Sequence, residues 1–285
     1  MNYQDIINQI DKKQTLLCIG LDPQEELIPE HLKNENNPTF KFCKEIVDAT
    51  ADLSIAFKIN TAFFEAQGSK GWQTMEKLAD YIKQNYPDNF LIADAKRGDI
   101  SHSSRMYAKA FFQTMPFDAV TINPLLGKDV VMPFIEHEDK WVILIGLSSN
   151  PSAYDLQFVQ EIGSREYVFE KIFKYGTWWG TENNTMFVVG AVMAYKLLQI
   201  RHLAPHNFLL IPGIGAQGGS LEDVCKFGLN ENYGLIINSS RAIIFADNSS
   251  KFAQTARQKA KDFKTEVQKY IQENKKLQGR LRKHF

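Results

Sequence analysis

The chain has 285 residues, and its 33 Lys and Arg are balanced by 33 Asp and Glu, so no bulk charge argues for a nucleic-acid partner. A composition of 44% hydrophobic and 23% charged residues excludes the disordered classes. The N-terminal stretch is polar, and the longest run of large apolar residues, Trp141 to Ile145, is far too short to span a bilayer, so no membrane is expected and the cytoplasm is the expected compartment.

Taken in order, the stretch to Lys13 carries Ile6, Ile7 and Ile10 on one side and reads as a short amphipathic helix. Thr15 to Asp22 reads as a first strand, stopped by Pro23, and Pro38 to Asp52 as a helix. Ser54 to Asn60 follows as a second strand, then a helix from about Gly71 to Gln84. Phe90-Leu91-Ile92-Ala93 opens a third strand that continues into Asp94-Ala95-Lys96-Arg97-Gly98-Asp99. Helices are expected over Ser101 to Met115 and Asp129 to Glu138, with strands at Ala119 to Pro124 and Trp141 to Ser148. A long segment with loop character at Asn150-Pro151-Ser152 leads to a helix near Glu166 to Tyr175, and the stretch after Pro151 is a candidate lid. Met186 to Gly190, Phe208 to Pro212 and Gly234 to Asn238 read as the last three strands. A final helix is expected from about Lys251 to Asn274, ending in a frayed basic tail. Residues 251–285 hold eleven Lys or Arg against three Asp or Glu, which reads as a solvated amphipathic face.

Eight strand–helix alternations with near-continuously apolar strands predict an α/β fold, a parallel sheet covered by helices. Eight units in this length match a single (β/α)8 (TIM) barrel over residues 1–285, although periodicity alone does not separate it from a doubly wound open sheet. No Pro/Gly/Ser-rich linker divides the chain.

In such a barrel the site lies at the C-terminal strand ends, where the unusual polar residues fall. These are Asp22, Lys58, Asn60, Asp94, Lys96, Asn123 and the run Ser148-Ser149-Asn150. Residues two apart in a strand share a face, so Asp94 and Lys96 point one way and Ala93 and Ala95 the other. Taken alone, Asp94 and Lys96 are as readily a structural ion pair as a site; with Lys58 they converge on one barrel mouth. Gly213 to Gly219 follows a strand and formally matches GxGxxG. A dinucleotide site would want an acid about twenty residues on, but that region is Ile237-Asn238-Ser239-Ser240-Arg241. The better reading is a phosphate cradle opening a helix, with Arg241 adding a bidentate contact. His202 and His206 are separated by Pro205, which ends any helix, so they make a poor metal pair, and Cys18, Cys43 and Cys225 form no CxxC.

These residues resemble the orotidine 5′-phosphate decarboxylase family, in particular its type 2 subgroup with the signature Asp-x-Lys-Arg-x-Asp-Ile. Here that signature is Asp94-Ala95-Lys96-Arg97-Gly98-Asp99-Ile100, flanked by matches at Cys18 to Pro23, Phe57 to Asn60, Thr121 to Pro124, Pro212 to Gly218 and Ser240-Arg241. The resemblance implies cofactor-free, metal-free decarboxylation of orotidine 5′-monophosphate (OMP) to uridine 5′-monophosphate (UMP). It implies that Lys58, Asp94, Lys96 and Asp99 form a charged array, with Lys96 stabilising and protonating the C6 carbanion. It also implies a homodimer in which Asp99 and Ser103 serve the partner's site. By the same likeness Asp22 binds the ribose, and Gln217 and Arg241 hold the phosphate. Asn123, Pro212, Gly218 and Ser240 line the substrate, and Ser149 reads the base unless its neighbour Ser148 does. The alternatives are a metal-dependent sugar-phosphate lyase similar to 3-hexulose-6-phosphate synthase and a nucleotide-binding barrel without chemistry.

Overall fold

Eight parallel strands close into one ring in sequence order, β1 pairing with β8, in the computed structural model, which describes residues 1–215 and 218–281. The strands are β1 (Leu17–Leu21), β2 (Ala56–Asn60), β3 (Phe90–Arg97), β4 (Ala119–Ile122), β5 (Trp141–Leu147), β6 (Thr185–Val189), β7 (Leu209–Pro212) and β8 (Leu235–Ser239). The open-sheet alternative is thereby excluded. β1, β4, β6 and β8 are buried at every position, as expected where helices cover one face and barrel contents the other.

The helices are α1 (Tyr3–Lys13), α2 (Pro38–Thr50), α3 (Ala62–Glu65), α4 (Gly68–Asn85), α5 (Ser101–Lys109), α6 (Lys128–Ile135), α7 (Ala153–Leu156), α8 (Val168–Trp179), α9 (Leu197–Leu203), α10 (Leu221–Gly228), α11 (Arg241–Ile244) and α12 (Phe252–Leu281). Their starts follow local chemistry. Asn2 and Asp5 form a reciprocal capping box on α1, and Asn37 caps α2 just ahead of Pro38. Helix α2 buries Phe42 against stacked Phe245 and Phe252, at centroid distances of 5.3 and 5.2 Å. Burying one such ring contributes about 1.5–3 kcal/mol.

Two expectations change. The last helix does not end near Asn274 but continues to Leu281. Phe252, Ala256, Ala260, Val267 and Ile271 carry its buried stripe onto the barrel, and Asn274 (to the Asn230 carbonyl, 2.8 Å) and Lys275 (to Asp11, 2.6 Å) fasten it further along. Nor does the glycine-rich loop open a helix directly. Helix α10 begins at Leu221 under its own cap, Ser220, which accepts from the Asp223 N–H. The N–H groups of Gly215, Gly218 and Gly219 bond to carbonyls within the loop. Among the described residues, no helix is long and apolar enough to cross a membrane. Cys18, Cys43 and Cys225 are buried free thiols.

Candidate active site

A cleft of about 350 Å³ opens at the C-terminal strand ends, lined by Asp22, Lys58 and Asp94 on one side and by Pro212, Ser240 and Arg241 on the other. Ser240 and Asn238 can sit close to β1 because Gly20 lacks a side chain. A Cβ there would lie 1.8 Å from the Ser240 hydroxyl oxygen and 3.1 Å from the Asn238 amide oxygen. A larger cavity of about 690 Å³ lies at the other end of the barrel, around Met1 to Gln4 and Trp141, and contains none of the expected site residues.

Four charged side chains form a continuous chain at the mouth. Lys58 Nζ lies 3.0 Å from Asp94 Oδ2 and 3.4 Å from Asp22 Oδ1, and Lys96 Nζ lies 2.6 Å from Asp94 Oδ1. Asp94 and Lys96 thus meet at the mouth. Lys58 is 5% exposed and Asp94 11%, so neither charge would be tolerated without its partner. Burial pushes the Lys58 ammonium down, but the Asp94 and Asp22 carboxylates outweigh it and hold its pKa above the ordinary lysine value. Burial likewise pushes the Asp94 carboxyl up, and Lys58 and Lys96 outweigh that, holding it well below the usual carboxylate range. Lys96 differs from both in being 55% exposed, an ammonium tethered to a buried anion and presented to the cleft mouth.

Backbone geometry sets Lys96 apart as well. Its φ is +45°, in the left-handed region that costs a non-glycine residue about 1–3 kcal/mol. The strand breaks register there, since Ala93 pairs with Val120 but the next pair is Arg97 with Ile122. Simple two-residue periodicity could not show this bulge. Arg97 turns to the helix layer, ion-paired with Glu65 at 2.5 Å and lying over the rings of Tyr107 and Phe111. That contact anchors the far side of the bulge.

The other expected residues divide. Asp99 lies past the strand end; its carboxylate accepts from the Ile100 N–H (2.7 Å), and its carbonyl accepts from the Ser104 hydroxyl. No described contact joins Asp99 to Lys58, Asp94 or Lys96 in its own barrel. Ser103 is exposed on α5. Asn123 is exposed, with its side-chain oxygen capping the short turn Pro124–Leu126. The Ser148 hydroxyl is engaged by Asn150 and Gln157 at 2.7 and 3.0 Å, while Ser149 backs onto Gly190, where a Cβ would meet it at 2.6 Å. Arg241 is exposed at the cleft, with no carboxylate partner among the described residues, so it is not a surface salt bridge. Gly218 is exposed with φ +83°, and Gln217 lies outside the described residues.

The sequence reading did not single out Thr121, whose hydroxyl contacts Asp94, or Asn238, whose buried side-chain oxygen has no protein partner and whose residue lines the cleft. The available signal was a polar residue inside each of two otherwise apolar strands.

Comparisons with known proteins place the chain in a family. A model of the orotidine 5′-phosphate decarboxylase / HUMPS family matches residues 15–256. The orotidine 5′-phosphate decarboxylase of Phocaeicola vulgatus is 49% identical over 271 residues, 95% of this chain and 99% of the relative. That of Flavobacterium johnsoniae is 48% identical over 271 residues, 95% of this chain and 98% of the relative. Among solved structures, the Leishmania donovani OMP decarboxylase is similar with a TM-score of 0.77 at 30% identity, covering 93% of this chain and 99% of that one.

Proposed function

The chain belongs to the orotidine 5′-phosphate decarboxylase / HUMPS family, and on that premise we propose how its own residues act. It is a carboxy-lyase of pyrimidine biosynthesis that converts OMP to UMP and CO2. We read it as a member of the subgroup carrying the Asp94-x-Lys96-Arg97-x-Asp99-Ile100 signature, and residues 1–285 as one domain. The observation that carries the mechanism is the Lys58–Asp94–Lys96 chain at the barrel mouth.

In this reading the bond between C6 and the carboxylate of OMP breaks, CO2 leaves, and the electron pair stays on C6. Lys96 lies beside that carbon. Its ammonium stabilises the developing negative charge, already oriented by Asp94 and needing no reorganisation at the moment of reaction. Lys96 then gives its proton to C6, forming UMP, and recovers one from solvent through its exposed end. Lys58 keeps Asp94 ionised and, with Asp22, faces the ribose. Arg241 meets the phosphate across the cleft, and Gln217 and Gly218 are assigned as its further phosphate contacts, so that binding energy gained far from the ring is used at C6. Pro212, Ser240 and Asn123 complete the lining. Ser149 reads the base in this reading, with Ser148 as the alternative. Ser149→Ala should accordingly raise KM for OMP, with Ser148→Ala leaving it near the wild-type value; the reverse pattern would exchange the two. No resident metal or cofactor enters these steps.

We further propose that Asp99 and Ser103 complete the site of a second copy in a homodimer working in the cytoplasm. The exposed Ile100, Met106, Leu125 and Leu126 around them support an interface on this face. One experiment addresses both parts. Chelator-treated protein is mixed with OMP and the absorbance change followed, for the wild type, for Lys96→Ala, for Asp99→Ala and for an equimolar mixture of the two variants. Turnover by the wild type despite chelation, with activity regained on mixing, supports shared, metal-independent sites. Loss of wild-type turnover on chelation would favour the sugar-phosphate lyase chemistry. An inactive mixture would return Asp99 to its own barrel.

A further inference from the structure

The register break in β3 has a single counterpart on β4. Between the pairs Ala93–Val120 and Arg97–Ile122, β3 advances by Asp94, Ala95 and Lys96 while β4 advances by Thr121 alone. In the regular part of the ladder the even residues of β3 turn to β2, as the Phe90 N–H to the Ile55 carbonyl and the Thr61 N–H to the Asp94 carbonyl show; the break turns the Lys96 N–H to β4 instead. Here it donates to the Thr121 hydroxyl oxygen at 2.9 Å. The same hydroxyl donates its proton to Asp94 Oδ1 at 3.0 Å, the carboxylate oxygen that also takes Lys96 Nζ at 2.6 Å. Thr121 is fully buried, so neither bond can be replaced by bulk water without opening the strand pair.

We propose that Thr121 is a positioning residue for the decarboxylation, holding the Lys96 backbone in its left-handed conformation and the Asp94 carboxylate in line with the Lys96 ammonium. This rests on the assignment of Asp94 and Lys96 as the catalytic pair. The geometry has a closed form: Thr121 Oγ1 bonds to the main chain of Lys96 and to the carboxylate that holds its side chain. One hydroxyl therefore fixes Lys96 at both ends of its side chain. No other described hydrogen bond links β4 to both residues. Without the hydroxyl, the Lys96 N–H loses its acceptor and the strained φ of +45° loses the bond that compensates it. Asp94 remains paired to Lys58 through its other oxygen, so the charge chain survives but its outer member is no longer fixed. Substrate grip at Arg241 and Asp22 does not pass through Thr121, so the effect belongs on kcat and not on KM.

The test is Thr121→Val, which keeps the β-branched shape and removes the hydroxyl, beside Thr121→Ser, which keeps the hydroxyl and removes the methyl. Thr121→Val is expected to lower kcat about 30-fold, the loss of a hydrogen bond to a charged group. KM for OMP and the affinity for UMP should stay within about threefold, and Thr121→Ser should restore kcat to within about threefold. A Thr121→Val protein that stays folded and keeps wild-type kcat would overturn the proposal, as would equal loss in both variants. Should the valine variant not fold, Thr121→Ala against Thr121→Ser decides on the same criterion. Lys96→Ala is measured in parallel. If it keeps wild-type kcat, the catalytic assignment itself fails; if it is inactive while Thr121→Val is fully active, only the role of Thr121 fails.

Discussion

Asp94, largely shielded, and Asp118, buried, are carboxylates at opposite ends of the β3–β4 pair, the first holding two lysines and the second one. Asp118, just before β4, accepts the Leu91 N–H at 2.8 Å and Lys83 Nζ at 3.0 and 3.2 Å. Its own N–H and carbonyl continue the ladder, to the Leu91 carbonyl and from the Trp141 N–H, both at 2.9 Å. The Asp94 carboxylate, at the mouth, is held by side chains alone among the described residues, Lys58, Lys96 and Thr121, while its main chain stays paired with β2 and its carbonyl accepts the Thr61 N–H at 3.3 Å. The backbone beside it is strained and out of register. At the closed end a carboxylate finishes regular backbone bonding, and its lysine does nothing further. At the open end the backbone is distorted so that one of two lysines stays half exposed and fixed in direction. Similar charges therefore read as architecture or as chemistry according to whether the main chain or a cleft completes their bonding.

This contrast can be broken most sharply at the mouth. Asp94→Asn should lower kcat by at least about 10³-fold, because both lysines lose the anion that orients them. Steady-state turnover of OMP measures this, and a variant within tenfold of wild type would erase the distinction. At the closed end the expected effect is on stability. Asp118→Ala should cost about 3 kcal/mol in denaturant unfolding, by leaving Lys83 and the Leu91 N–H without their acceptor, while kcat stays near wild type. A loss of kcat without loss of stability would reverse the roles of the two ends.

A smaller effect should sharpen the comparison through pH. The Asp94 carboxyl is held below its unfolded value by Lys58 and Lys96 against the opposing effect of burial, so the folded state binds fewer protons than the unfolded one. Its contribution to stability is present above the unfolded pKa of about 4 and is lost as the pH falls from there toward the folded value. Lys58 is shifted the other way, above its unfolded value. Its contribution is present below about pH 10.4 and is lost as the pH rises through its folded value. Thermal unfolding from pH 6 down to pH 3 should thus fall less steeply for Asp94→Asn than for the wild type. Parallel curves would show that Asp94 carries no such linkage.

Much of the barrel was legible because apolar runs and their spacing are local. The eight strands and their order follow from residue types along the chain. The bulge at residues 94–96 was not legible, since a strand with a period of two looks the same whether or not its neighbour stays in step. Thr121 was hidden for the same reason, its partners lying 25 and 27 residues away. That the glycine-rich loop stops short of a helix was not legible, because a motif records composition and not where a helix begins. In the structure, the loop's own carbonyls take the N–H groups of Gly215, Gly218 and Gly219. The last helix outran its expected end because Asp11 and Asn230, which fasten it, are remote in sequence. Which subunit Asp99 serves was readable only through family likeness, as the spacing shows merely that it lies beyond the strand.

The central claim is that Lys96, fixed by Asp94 at the barrel mouth, supplies the charge and the proton at C6. Single-turnover decarboxylation of OMP by Lys96→Ala, with UMP binding measured on the same preparation, tests it most directly. The account predicts a loss of at least about 10⁴-fold in rate with UMP affinity held within about tenfold. A Lys96→Ala protein that turns OMP over near the wild-type rate would contradict it and move the chemistry to another residue of the cleft.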